Sequence, residues 1–277
     1  NNSLDLNNEK LILSFKSNDY EQAIFLSRLL INENTSNSIA YTILGLSLSS
    51  IGKKEDAEKI FLDGINNNPQ SSDLCNNISN LYLEKKQYLN AKIFAKKAVL
   101  LNSNCSSSYF TLGIALNACN EIDAAISSMK KSFQLNHENA PALLQLGNLY
   151  KDKKLFSKAL DIYRKYQKLF SRHIEGFYNE GCLQLRNQRF KIGWDKYEIG
   201  LKNNSRFLVE GYSNEDKLLW DGKPFEGTLL VYGEQGIGDQ IIFSTLLYDL
   251  KKMHGNIILK VNEKLVPFLK YNFKDIL

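Results

Sequence analysis

Small and large apolar positions recur along most of this chain with one period. Ala23, Ala57, Ala91, Ala125, Ala159 and Gly193 stand 34 residues apart without slippage. Twelve residues before all but the first stand Gly45, Ser79, Gly113, Gly147 and Gly181. Nine before come Leu48, Tyr82, Leu116 and Tyr150, and four after come Phe61, Ala95, Met129, Tyr163 and Tyr197. A period of 34 with small residues at two fixed points predicts two antiparallel helices per repeat. The small residues let helices approach, and the large ones fill the space between neighbours. In the first repeat, residues 4–37, Leu11 stands where the early glycine belongs, so this repeat is expected to be degenerate or an edge.

The pattern then changes. Residues 203–217 are irregular, and 218–227 (LLWDGKPFEG) carry Asp-Gly and Lys-Pro turn signals. Thr228–Tyr232 is a short β-prone apolar run that ends at Gly233. From Asp239 onward, Ile241, Ile242, Leu246, Leu247 and Leu250 keep helical spacing, with Lys251 and Lys252 near the C-terminal end. Asn256–Val261 reads as a second strand. Strand, helix and strand of this length predict a βαβ unit with parallel strands. The expected domains are a solenoid over 1–207, a hinge over 208–227 and an incomplete Rossmann-like α/β part over 228–277.

Composition narrows the class. Hydrophobic residues make up 43% and charged residues 23% of 277, so a packed chain is expected. Four prolines suit a helical majority. A net charge of +5, spread among interleaved acids, gives no nucleic-acid footprint. Cys75, Cys105, Cys119 and Cys182 form no C-x-x-C pair and do not cluster with histidine, so no metal site or cofactor is expected and reduced thiols in the cytoplasm are. No apolar stretch is long enough to span a bilayer, and no signal peptide is visible.

The periodic part, residues about 4–207, resembles the tetratricopeptide repeat (TPR) family, a mostly α solenoid. The resemblance implies a concave groove lined by the first helix of each repeat, with a protein or peptide as its ligand. Asn77 and Asn80, Gln145 and Asn148, and Asn179 fall on that face. An amide donates and accepts, so a column of them can pair with an extended peptide backbone. TPR domains fused to sugar transferases of the O-GlcNAc type carry a similar asparagine column. Ile43, Leu46, Thr111 and Ile114 interrupt it here, so a solvated polar face stays open as the alternative.

Three phosphate-loop readings compete for Gly233–Asp239. A P-loop fails because Asp239-Gln240 follows Gly238 where Lys-Ser/Thr is required, and a dinucleotide loop fails because Ile241 occupies the third glycine's place. A third reading rests on order. Gly193-Trp194-x-x-Tyr197-Glu198, Trp220-x-Gly222, a strand, then Glu234-Gln235-Gly236-x-Gly238-Asp239 resemble bacterial TPR proteins with a heptosyltransferase-like GT-B glycosyltransferase domain. That resemblance covers roughly residues 188–262 and implies transfer from a nucleotide sugar to a protein or glycan acceptor. It makes Asp239 the general base on the acceptor hydroxyl, with Glu234, Gln235, Gly236 and Gly238 shaping the substrate site. An N-cap role for Asp239 stays open. The chain departs from the family at Ile199-Gly200 and at Ser244-Thr245-Leu246. Residues 1–277 alone are expected to be inactive, because the donor-binding domain is missing. The alternative is a non-catalytic peptide-binding scaffold with a degenerate transferase-like domain.

Overall fold

Twelve helices occupy the periodic region in the computed structural model, which describes residues 2–201, 220, 222–223, 225–233 and 236–274, without the side chains of 2–6, 200, 201, 232 and 239. The chain divides into two compact units, Asn1–Tyr197 and Glu198–Leu277. In the first, each repeat is one helix pair: α1 (Asn2–Lys16) with α2 (Tyr20–Glu33), α3 (Ser38–Ser50) with α4 (Lys54–Asn67), and α5 (Ser72–Glu84) with α6 (Tyr88–Leu101). The later pairs are α7 (Ser106–Ala118) with α8 (Ile122–Leu135), α9 (Ala140–Asp152) with α10 (Phe156–Leu169), and α11 (Glu175–Arg186) with α12 (Phe190–Leu201).

The periodic residues do the packing that the sequence assigns to them. Ala23, Ala57, Ala91, Ala125 and Ala159 are all 0% exposed. A methyl group at Gly45 would lie 2.4 Å from the Phe61 ring, and one at Gly147 would lie 2.5 Å from the Tyr163 ring. At Gly181 the obstacle is backbone, with Tyr197 N at 2.6 Å. Gly45 and Gly147 are therefore holes for a large side chain of the partner helix, and Gly181 lets two helix backbones meet. The third repeat divides the volume differently: Ser79 donates to Ala91 O at 2.8 Å, and Ala95 stands where the others are large. The first repeat exchanges the sizes. Leu11 and Ser27 occupy the two matching positions and are both fully buried. It is thus a helix pair with its volumes swapped, which is how it departs from the repeat pattern. Three buried apolar clusters follow one another from Leu11 to Leu183; Ile31 packs against the first two, and Ala95 of the third lies between Ala91 and Ala98 of the second.

The turn inside each repeat has a fixed form. Asn18, Gly52, Lys86, Asn120, Lys154 and Gln188 all have positive φ and stand 34 apart. In the third repeat Lys86 N–H donates to Leu83 O and Gln87 N–H to Tyr82 O, the bonding of a Schellman C-cap. Three of the five links between repeats are Asx turns: the Asn34, Asn102 and Asn136 side chains accept from the backbone N–H two residues on.

Successive odd-numbered helices pack on one another: α1 on α3, α3 on α5, α5 on α7, and α9 on α11. The even-numbered helices pack on the odd ones before and after them. Odd helices thus form the inner layer and even helices the outer one.

In the second unit, β1 (Thr228–Tyr232) and β2 (Asn256–Lys260) are parallel, with Thr228 opposite Asn256 and Tyr232 opposite Lys260. The crossover holds two helices, α13 (Ile237–Ser244) and α14 (Leu247–Met253), where the sequence predicts one. The break has a local cause. Ser244 and Thr245 hydroxyls donate to Ile241 O and Ile242 O, bonds that compete with the helical ladder. Lys251 Nζ donates to Gly255 O at 2.8 Å beyond the end of α14. After a 3-10 turn (Glu263–Leu265), α15 (Val266–Asn272) packs Leu269 with Leu247, Leu265 and Phe273.

Candidate functional site

The inner layer carries the amide column. Its geometry is more particular than a row of solvated amides. Tyr163 OH rises from the core of the fifth repeat and donates to Asn148 Oδ1 at 2.9 Å. Asn179 Nδ2 donates to the same oxygen at 3.2 Å, and Asn148 Nδ2 reaches Gln145 Oε1 at 3.5 Å. Burial pushes the Tyr163 phenol up, so it stays a hydroxyl donor at neutral pH. Asn148 is therefore oriented from below, and Asn148 and Asn179 join adjacent repeats.

A second joint lies two repeats earlier, where Thr111 Oγ1 donates to Asn80 Oδ1 at 3.1 Å. Thr111 is 3% exposed, so it supports Asn80 instead of interrupting the face. Asn77 lies half-buried one turn before Asn80. The Asn80 Nδ2 and Asn179 Oδ1 atoms have no hydrogen-bond partner among the described residues, and they offer one donor and one acceptor group to a ligand.

Between the joints lie partly buried apolar side chains, Phe110, Ile114 and Leu144. Sequence reasoning missed Asn76, whose buried Oδ1 has no hydrogen-bond partner among the described residues. Its position beside Asn77 on α5 was the available signal.

The last repeat holds a second unpredicted feature. Glu180 is 2% and Gln184 0% exposed, where earlier repeats carry Ile78, Leu112 and Leu146, and Tyr82, Leu116 and Tyr150. Gln167 Nε2 donates to Glu180 Oε2 at 2.7 Å and Arg164 Nε to Glu180 Oε1 at 3.2 Å. Lys196 Nζ lies 3.5 Å from Oε2 and donates to Gln167 Oε1 at 2.9 Å. Burial alone pushes the Glu180 carboxyl up, but the Gln167 amide, Lys196 and Arg164 outweigh it and hold it below the usual carboxylate range. The network joins α10, α11 and α12. Trp194 meets Tyr197 edge-on with centroids 5.6 Å apart.

The glycine-rich turn follows β1. Glu234 and Gln235 lie outside the described residues. Gly236 is the N-cap of α13, with φ −61° and ψ 165°. Asp239 is the third residue of that helix, which corrects the N-cap alternative; its side chain lies outside the described residues. Gly238 is exposed, with open space where a side chain would begin. The close approach falls on Gly233 instead, where a Cβ would meet the Gln240 side chain at 2.5 Å. Gln240 Oε1 accepts from Asn262 N at 3.0 Å, and Gly233 N donates to Lys260 O at 3.0 Å. The first bond ties the chain after β2 to α13, and the second joins the ends of the two strands. Trp220 packs edge-on against buried His254 at 5.0 Å and donates to Lys223 O. No helix among the described residues is long and apolar enough to cross a membrane.

Comparisons with known proteins bear on the helical unit. The tetratricopeptide repeat profile matches residues 72–105 and 140–173, the third and fifth helix pairs with their turns. A Bos taurus protein described as BBSome complex member BBS4 is 24% identical over 153 residues, which are 55% of this chain and 29% of that protein. The chain therefore spans less than a third of that relative's length. Among solved structures, YrrB, described as a TPR protein with an unusual peptide-binding site, superposes with a TM-score of 0.54 at 19% identity, over 63% of this chain and 90% of that one. Pseudomonas aeruginosa pilF gives 0.63 at 18% identity, over 76% and 94%. MamA gives 0.54 at 20%, over 57% and 92%. With the period, the buried small residues and the paired helices, these findings give the helical unit the tetratricopeptide repeat fold and make residues 72–105 and 140–173 tetratricopeptide repeats.

Proposed function

We propose that the helical unit is a scaffold that holds an extended peptide along its inner layer. The carrying observation is the pair of inter-repeat amide joints, Thr111–Asn80 and Asn179–Asn148, with Phe110, Ile114 and Leu144 between them. The amides pair with peptide backbone, and the apolar steps take side chains. A peptide selected against the chain from a phage-displayed random library tests this. Replacing both Asn80 and Asn179 by alanine is expected to weaken it roughly tenfold to thirtyfold, about 1 kcal/mol for each neutral hydrogen bond. Unchanged affinity would remove the amides from the site.

The second unit, on this reading, is the acceptor-side start of a GT-B sugar-transfer domain acting in the cytoplasm. What supports it is the resemblance across Trp220-x-Gly222 and Glu234–Asp239, and a turn that leaves the C-terminal end of a parallel strand, where α/β sheets place ligands. Asp239 then takes the proton from the acceptor hydroxyl, and the nucleotide sugar is held elsewhere in a full-length protein. In that protein, Asp239→Ala is expected to lower turnover on the order of a hundredfold or more, the usual worth of a general base. Wild-type turnover in the variant would remove that role.

One observation favours a non-catalytic scaffold instead. Ser244 and Thr245, where the resemblance has an Ala-Arg-Tyr-like run, spend their hydroxyls on breaking the helix. Titration of the full-length protein with nucleotide sugars separates the two readings, because a pure scaffold releases no heat.

A further inference from the structure

The outer layer carries a second cleft, separate from the inner face. It lies between α8 and α10 and has a volume of about 310 Å³, near the lower end for a ligand site. Its floor is apolar. Phe133, Leu143 and Leu146 are 6%, 1% and 4% exposed, and Ile162 closes one side. The rim is cationic: Lys130 stands on α8 and Lys165 on α10. Gln134 and His137 complete the lining, and no carboxylate takes part in it.

One feature sets these lysines apart from ordinary solvated ones: both stand over aromatic rings. Neither forms an ion pair among the described residues, so both charges are open to a ligand. Lys165 Nζ lies 5.0 Å from the Phe133 centroid, and Lys130 Nζ lies 5.8 Å from that of Tyr150. A ring face attracts the ammonium and limits its excursions while leaving its three N–H donors to a ligand. The His137 ring packs against Phe133 at 5.2 Å, so the aromatic floor extends to one end.

We propose that this cleft binds an acidic peptide segment, with one bulky apolar side chain on the Phe133–Ile162 floor and flanking carboxylates on Lys130 and Lys165. Charge complementarity chooses the occupant. A basic segment would meet two unpaired cations, and a neutral one would leave them without partners. The site is independent of the inner face, so one chain can hold two peptides of different chemistry.

The test uses the whole chain and a fluorescein-labelled peptide with one leucine between runs of glutamate, read by fluorescence anisotropy. Binding is expected to weaken on the order of tenfold in K130E/K165E, because two charge pairs worth about 0.5–1 kcal/mol each are lost. It should also fall with added salt and when serine replaces the leucine. K10E/K59E makes the same change of net charge on exposed residues of α1 and α4 and should bind as the wild type does. Asn80→Ala with Asn179→Ala should bind as the wild type as well. Equal weakening in both charge-reversed variants would reduce the effect to diffuse attraction and overturn the proposal. So would wild-type affinity in K130E/K165E. Loss of binding in the asparagine variant would place the probe on the inner face and overturn it too, without touching the groove reading.

Discussion

Replacing Glu180 by alanine is expected to destabilise the helical unit by about 3–5 kcal/mol, from the loss of two charge-assisted hydrogen bonds and the cavity left behind. The carboxylate is 2% exposed and accepts from Gln167 and Arg164, with Lys196 at 3.5 Å. Alanine leaves a cavity and removes one of the two acceptors of Gln167 Nε2, which then keeps only Gly176 O at 3.0 Å. Gln184 is already strained for partners, because its Oε1 is buried with none among the described residues. Glu180→Gln keeps the shape and some of the hydrogen bonds, so it should cost less, about 1–2 kcal/mol.

The pH dependence has a definite sign. The folded-state pKa of Glu180 is depressed, so its contribution is complete above the unfolded value and is lost as pH falls through the folded value. The gap between wild type and Glu180→Gln should therefore close below about pH 4.3, the ordinary glutamate pKa. Urea unfolding followed by circular dichroism across that range measures it. A gap that stays constant with pH would show that charge is not what Glu180 contributes.

Phe61→Ala is expected to be as costly, about 3–5 kcal/mol, because the ring is 1% exposed and fills the hole opened by Gly45. The chain itself supplies the compensation, since the third repeat carries Ser79 with Ala95 at these two positions. Gly45→Ser alone would drive a side chain into the ring, at a cost of about 1–3 kcal/mol. In the Phe61→Ala background the same change should restore stability, with a coupling of about 0.5–3 kcal/mol. Additive losses in the double variant would mean that the two positions do not share one volume.

How far the sequence reaches depends on how locally each feature is encoded. The 34-residue spacing of small residues predicts the helix pairs, because each small residue answers a large one at a fixed separation. The two strands and their parallel pairing follow from short apolar runs and a crossover of the right length. Other features were written in the sequence and went unread. Asn34, Asn68, Asn102 and Asn136 repeat at the same period and mark the inter-repeat turns, but a chain rich in asparagine hides them. Glu180 and Gln184 break two apolar columns one helical turn apart, and that alone flags a buried polar site.

The partners of Glu180 come from α10 and α12, a relation that no local pattern contains. The left-handed turn residues are less legible still. Gly52, Asn18 and Asn120 are of types that favour this conformation, while lysine at 86 and 154 is held there by the bonds that close the helix. On the inner face, residue type alone made Thr111 an interruption, whereas in the fold its hydroxyl positions Asn80.

The central claim is that the inner layer holds the peptide, and site-specific photo-crosslinking tests it most directly. A benzophenone amino acid would replace Ile114, between the two amide joints, or Leu100 on α6, which is 85% exposed. Each protein would be irradiated with the library-selected peptide. The account predicts a crosslinked adduct from position 114, competed by unlabelled peptide, and none from position 100. Crosslinking from position 100, with none from 114, would contradict it.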